Sequence, residues 1–290
     1  MNKEFRFLNI INNTLKDSSY LGDDCGYLDE YKLAISSDTL VEDVHFSLCF
    51  MSAYEIARKS LLVNISDILA SGAKPIYATI SLSGTLDDDF VRDFYNGVNS
   101  IAEEYEIKIV GGDLTKSDKI TVGITILGSY KDRNISSRKN AQDGYIVAVV
   151  GEFGSSAQGL EDLFHGIMDN YFINYHKNPK LYPNISYEIA SKAAKPYAMM
   201  DSSDGLIDCL SQISAKSNVR IDIEYDKIPH KTTNSDFVLS GGEDYALVVC
   251  LDKEDFKNID GLIQIGTCSI GSGVYLDGKK IEYKGYNHFE

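Results

Sequence analysis

The chain has 290 residues, 43% of them hydrophobic and 24% charged, and carries a formal charge of −15 at pH 7. That length suits two ordinary domains, and that charge, with no Lys/Arg cluster to offset it, argues against nucleic acid or an anionic membrane as partner. No apolar run reaches the ~18 residues that span a bilayer, and no signal-peptide core follows residues 1–6, so the chain reads as cytoplasmic.

Taken in order, the pattern predicts a strand over 32–35 ending in a Ser36-Ser37-Asp38-Thr39 turn, a helix over 53–71 and a strand over 76–82. A helix over 87–106 follows, then a short β-branched strand over 107–110 that stops at a Gly111-Gly112-Asp113 turn, and a strand over 121–127. The polar stretch 131–143 breaks the pattern and marks a domain boundary, with 1–134 on one side and 135–290 on the other. Beyond it lie a strand over 145–150, a Gly/Ser turn opening a helix within 151–159, an apolar run 198–200 leading into Asp201, and a helix over 206–214. Strands are predicted at 219–223, 237–239, 246–251 and 262–265.

The segment from Gly273 to Lys280 nearly matches a P-loop, but Lys280 stands where Ser or Thr must meet Mg²⁺, and Asp277-Gly278 between apolar residues reads as a hairpin turn. No G-x-G-x-x-G follows a strand, so a dinucleotide site is unsupported. The five cysteines are scattered without a C-x-x-C, which indicates neither a disulfide framework nor a zinc knuckle.

Chemistry concentrates in carboxylates set at the ends of apolar runs or at Gly turns: Gly22-Asp23-Asp24, Ser36-Ser37-Asp38, Asn64-Ile65-Ser66-Asp67, Gly111-Gly112-Asp113, Asp201-Ser202-Ser203-Asp204-Gly205 and Gly241-Gly242-Glu243-Asp244. Two carboxylates ~4 Å apart repel by about 4 kcal/mol at an effective dielectric of 20, so acids that converge need cations. Oxygen-only donors suit Mg²⁺ or Ca²⁺, and Mg²⁺ shares its remaining positions with substrate phosphates. On the 53–71 helix, Ser60, Asn64, Asp67 and Ser71 share one face, which meets either an ion or water. Gly111 and Gly112 either let a phosphate approach their amides or form an ordinary loop. Ser203 and Asp204 either attract an anion to the helix start or only cap it. His45, trailing the second acidic segment, is a ligand or a structural histidine.

In this ordered set the sequence resembles the thiamine-monophosphate kinases of the aminoimidazole-ribonucleotide (AIR) synthetase-like superfamily. The resemblance is carried by Gly22-Asp23-Asp24-Cys25, Asp38-Thr39-Leu40-Val41 with His45-Phe46, Val63-Asn64-Ile65-Ser66-Asp67, Gly111-Gly112-Asp113, Asp204-Gly205-Leu206, Gly241-Gly242-Glu243-Asp244-Tyr245 and the tail Lys284-Gly285-Tyr286-Asn287-His288-Phe289. It implies a mixed α/β, α+β fold with an N-terminal dimerising α/β domain, a C-terminal α+β domain and a homodimer. The implied reaction joins ATP to thiamine monophosphate with several Mg²⁺ ions. Asp24, Ser36, Ser37, Asp38, Asp67, Asp113, Asp201 and Asp204 would hold metal, with Asp113 and Asp204 also the catalytic residues. Gly112, Arg138, Ser203 and Tyr95 would contact ATP, while His45, Glu243 and Tyr283 would face thiamine monophosphate. Lys180 stands after Pro179 where the family usually has Arg. Two readings compete: another ATP-using synthetase of the superfamily, weakened by the lack of a Cys-Gly-Cys-Lys-like segment or terminal Cys, and a non-catalytic divalent-cation protein, which lacks EF-hand spacing.

Overall fold

The computed structural model describes residues 3–281, so Tyr283 and the 284–289 tail lie outside the described residues. Helix α1 (Lys3–Thr14) is followed by β1 (Gly26–Leu28), β2 (Leu33–Val41), α2 (Ala53–Ala70), β3 (Lys74–Ser83), α3 (Asp88–Glu104), β4 (Lys108–Thr115) and β5 (Thr121–Ser129). These strands form a sheet in the order β1-β2-β5-β3-β4, antiparallel except where β3 runs beside β4. Helix α2 begins with a capping box, in which the Ser52 side chain accepts from the Glu55 amide and the Glu55 carboxylate accepts from the Ser52 amide. Its apolar residues, including Ile56, Leu61, Ile65 and Ile68, pack with Ile80, Leu82, Ile124 and Ile126 of the sheet.

The second half contains β6 (Ile146–Val150), α4 (Ser155–Phe164), α5 (Tyr171–Lys177), α6 (Pro183–Lys192), β7 (Ala198–Asp201), α7 (Leu206–Ser217), β8 (Val219–Ile223), α8 (Ser235–Ser240), β9 (Leu247–Leu251), α9 (Lys253–Lys257), β10 (Ile263–Ile270), β11 (Gly273–Leu276) and β12 (Lys279–Ile281). Its sheet runs β12-β11-β8-β10-β6-β9-β7. Strands β6, β7 and β9 are buried along their whole length, because apolar layers cover both faces. Leu206, Leu210 and Ile213 of α7 line one layer. Ile189 of α6, Met199, Val249 and Ala70 at the end of α2 line the other. Helix α2 therefore belongs to both halves.

Three predicted features are corrected. Ser36-Ser37-Asp38 is the middle of β2, not a turn, because every residue of Leu33–Val41 pairs with β5. Gly111-Gly112-Asp113 is likewise inside β4, paired with Thr79, Ile80 and Ser81. Small or acidic residues with poor strand propensity are carried there by the ladder itself. Residues 237–239 lie in α8 rather than a strand, since the Asn234 side chain caps the Asp236 amide and starts a short helix. The hairpin at Asp277-Gly278 is present, with φ of 49° and 79° as a two-residue primed turn requires. Helices α1, α5, α6 and α9 have no counterpart among the predicted elements.

Candidate active site

The acids meet where the two halves touch. Asp24 in the loop before β1, Asp67 on α2 and Asp201 at the end of β7 each place a carboxylate oxygen within 4.8 Å of the others. Asp38 on β2 is near enough to feel the charge of Asp24 and to act on that of Asp67. The local reason is strand and helix periodicity. Ser36 and Asp38, two residues apart on β2, face α2: Ser36 Oγ donates to Asp67 Oδ2, and the Asp38 amide donates to Asn64 Oδ1 at 3.1 Å. The polar stripe of α2 thus turns inward, with Ser60, Asn64 and Ser71 fully buried, and the water-facing alternative fails. Ser37 alternates to the opposite face, where its Oγ donates to the Ile124 carbonyl at 3.0 Å, so its side chain is not brought into the cluster.

Burial is the main cause that pushes all four carboxyls above their ordinary range, and their mutual repulsion adds to it. Asp201 is pushed up to about 8. Asp24 stays raised although the Arg138 guanidinium, 2.7 Å away, draws it down. Among the described residues Asp201 Oδ2 is buried without a hydrogen-bond partner. An orphaned carboxylate oxygen among oxygen-only donors fits a hard divalent cation such as Mg²⁺. A pH dependence follows. The native metal-free protein holds protons on these carboxyls that the unfolded chain has released, so their contribution to stability is lost as pH rises from about 4 towards 8. Thermal melts should therefore show a larger Mg²⁺-induced rise in Tm at pH 8 than at pH 5.5; an equal rise would remove these acids from the cation site.

Beside the cluster lies a cavity of about 610 Å³ lined by Asp38, His45, Asp67, Asp201, Ser203, Asp204 and Glu243 among others. Two loops build its wall by pairing backbones: the Glu243 amide donates to the Ser203 carbonyl at 2.7 Å and the Tyr245 amide to that of Ser202 at 3.0 Å. That approach requires glycine at 242, where a Cβ would stand 2.7 Å from the Ser203 oxygen. Glu243 and Tyr245 take left-handed φ of 63° and 52°, a strained arrangement that the flanking bonds enforce. Asp244 is fully buried and accepts from the amides of Gly154 and Ser156, which fastens this loop to the start of α4. His45 Nδ1 accepts from the Val41 amide at 3.1 Å, which leaves the proton of the neutral ring on Nε2.

Sequence reasoning missed a polar group at one end of this cavity. Lys59 is fully buried on α2, with Nζ 3.0 Å from Glu243 Oε2. His176 on α5 is 3.4 Å from the same ammonium, and its Nδ1 lies 2.9 Å from Ser156 Oγ. A lysine inside a helix whose residues are mostly apolar was the available signal; His176 had none.

Other expected residues stand apart from the cavity. Arg138 lies behind the cluster, its guanidinium shared between Asp24 and Gln212 and its amide donating to Asp23. Tyr95 packs beside Phe94 on α3, against the core of the first sheet. Gly112 and Asp113 lie on the exposed edge strand β4. A Cβ at 112 would sit 1.9 Å from the Ile80 carbonyl oxygen, so close packing of β3 against β4 by itself demands the glycine. Asp113 Oδ2 accepts from Thr115 Oγ1 at 3.0 Å, away from the acids of its own chain.

Among the described residues the acidic seam lies between a five-stranded and a seven-stranded sheet. The family model "AIR synthase related protein, N-terminal domain" matches residues 22–130. Solved hydrogenase maturation protein HypE, 16% identical with a TM-score of 0.71 over 94% of this chain and 96% of that one, shares the fold alone. The nearer likenesses are narrower. The thiamine-monophosphate kinase of Aquifex aeolicus is 33% identical over 99% of this chain and 98% of its own length, and that of Bacillus subtilis is 33% identical over 87% of each. A structure described as AaThiL complexed with AMPPCP and TMP superposes with a TM-score of 0.91 at 32% identity, covering 99% of this chain and 97% of that one. The chain belongs to the thiamine-monophosphate kinase family.

Proposed function

We propose that this protein transfers the γ-phosphoryl group of ATP to thiamine monophosphate, by direct in-line displacement assisted by Mg²⁺. The observation that carries the reading is the convergence of Asp24, Asp67 and Asp201 beside a cavity wide enough for an acceptor. It is supported by the family, and by the ATP analogue and TMP named in the solved relative. An acceptor oxygen forms its bond to the γ-phosphorus while the bond to the β,γ-bridging oxygen breaks, leaving ADP with that electron pair and giving thiamine diphosphate. The acceptor phosphate, with a second pKa near 6, is largely ionised at neutral pH, so we assign no general base. The obstacle is bringing two polyanions together, and bound Mg²⁺ would supply the positive charge that offsets their repulsion.

The chain's own residues do the rest. Asp24, Asp38, Asp67, Asp201 and Asp204, with Ser36 bracing Asp67, would hold the ions; Ser37 is left out because its side chain faces the other way. Ser203 and Arg138 would bind the nucleotide. His45, through Nε2–H, and Glu243 would orient the acceptor. Arg138→Ala should raise KM for ATP about tenfold, as loss of a charged hydrogen bond does, with little change in KM for thiamine monophosphate; an unaltered KM for ATP would exclude it.

Gly112 and Asp113 enter through a homodimer, which is part of the proposal. Among the described residues strand β4 has an unpaired edge and exposes Val110 and Leu114 beside them. A second copy seated there would bring that edge to the other protomer's nucleotide. We divide each protomer at residues 134 and 135, because β5 ends the first sheet and β6 begins the second. A cytoplasmic location remains the reading of the composition; among the described residues no helix is long and apolar enough to cross a membrane.

The deciding test supplies purified protein with ATP, Mg²⁺ and thiamine monophosphate, alongside thiamine and AIR-pathway nucleotides. Thiamine diphosphate should form only with thiamine monophosphate; clean protein with no such turnover refutes the reading.

A further inference from the structure

Lys59 is among the largest fully buried side chains of the described residues, and nothing in the proposed reaction uses it. A buried ammonium is tolerated only where its donors are answered. Here Nζ donates to Glu243 Oε2 at 3.0 Å, to the His45 carbonyl at 3.2 Å and to His176 Nε2 at 3.4 Å. Those three acceptors match its three N–H groups. With Nε2 accepting, the His176 proton sits on Nδ1 and points to Ser156 Oγ, 2.9 Å away. Burial, with Lys59 beside it, drives the His176 pKa down to about 3, so the ring is neutral and buttresses the ammonium without competing for charge.

The acceptors are informative. Glu243, His45 and His176 all line the cavity, whereas Lys59 does not. They come from three separate segments: a strained loop, the turn after β2, and α5. The Lys59 ammonium joins the Glu243 carboxylate to the His45 backbone through one atom. Glu243 sits at a left-handed backbone position, and its Oε2 is held by Lys59 at 3.0 Å with His176 Nδ1 at 3.5 Å.

We propose that Lys59 is the positioning residue for acceptor recognition, one ammonium tying the Glu243 carboxylate to the backbone of His45 so that the two residues facing the acceptor form a single rigid unit. This rests on the reading of the cavity as the thiamine monophosphate site. Lys59 touches no substrate and acts through Glu243.

The experiment is a double-mutant cycle with Lys59→Met and Glu243→Gln, read by steady-state kinetics in both substrates. Wild-type turnover of thiamine monophosphate is the control; its absence would refute the functional reading and not this one. Lys59→Met should raise KM for thiamine monophosphate about tenfold or more, as unpairing a buried charge does, while kcat and KM for ATP stay within about twofold. In the Glu243→Gln background the same change should add nothing. An equal further rise in that background, or a matching rise in KM for ATP, overturns the proposal. If Lys59→Met alone fails to fold, the double variant, which removes both charges, is compared with Glu243→Gln: the same KM supports the proposal and a higher one defeats it. Failure of the double variant to fold as well would assign Lys59 to stability and also defeat it.

Discussion

Asp67→Asn should lower kcat about a thousandfold, the scale of losing a group aimed at developing charge, while the fold is kept. Asp67 is the hub of the cluster: its carboxylate receives Ser36 Oγ and stands within 4.8 Å of the Asp24 and Asp201 ligand atoms. Asparagine preserves the shape and removes the charge that would hold a divalent ion. The same change relieves repulsion among buried acids, since burial, then Asp38, Asp201 and Asp24, push the Asp67 carboxyl far up. Metal-free Asp67→Asn should therefore melt at or above the wild-type temperature, and Mg²⁺ should no longer raise its Tm. Activity assays and melts with and without Mg²⁺ check both halves; unchanged turnover would remove Asp67 from the metal set.

Asp113→Asn should be comparably inactive, for a different geometric reason. Asp113 lies on the exposed β4 edge, so its loss should leave monomer stability and the acidic seam untouched. If it serves the partner's site, each single mutant spoils both sites of its own homodimer, but a mixed dimer of Asp67→Asn and Asp113→Asn keeps one intact site. Mixing the two inactive proteins under exchange conditions should then restore about a quarter of wild-type activity, by the symmetry of random pairing. No recovery despite proven subunit exchange would place Asp113 in its own chain's site.

The long periodic elements were legible because their signals are local. The α2 pattern and the alternating strands at β3 and β5 carry their periodicity in a few adjacent residues. The acids Asp24, Asp38, Asp67 and Asp201 were legible by residue type, but their convergence was not, since it depends on α2 packing against both sheets. Turn propensity misled at Ser36-Ser37-Asp38 and at Gly111-Gly112-Asp113, where pairing with β5 or β3 overrode it. Ser37 shows the finer limit: read as a strand rather than a turn, the segment would have placed Ser36 and Asp38 on one face and Ser37 on the other. His176 stayed hidden because its significance lies in Lys59, Ser156 and Glu243, the first and last remote in the chain.

Helix α2 carries both Lys59 and Asp67, eight positions apart and so roughly 12 Å along its axis at 1.5 Å per residue. On the proposed reading it works as a ruler between two anchors, Lys59 holding Glu243 and Asp67 holding a metal ion. A helix does not stretch, so the gauge is set before any ligand arrives. On that reading an acceptor must span both marks, so thiamine, shorter by a phosphate, would fall short of one of them, which makes the length of the acceptor itself a criterion of choice.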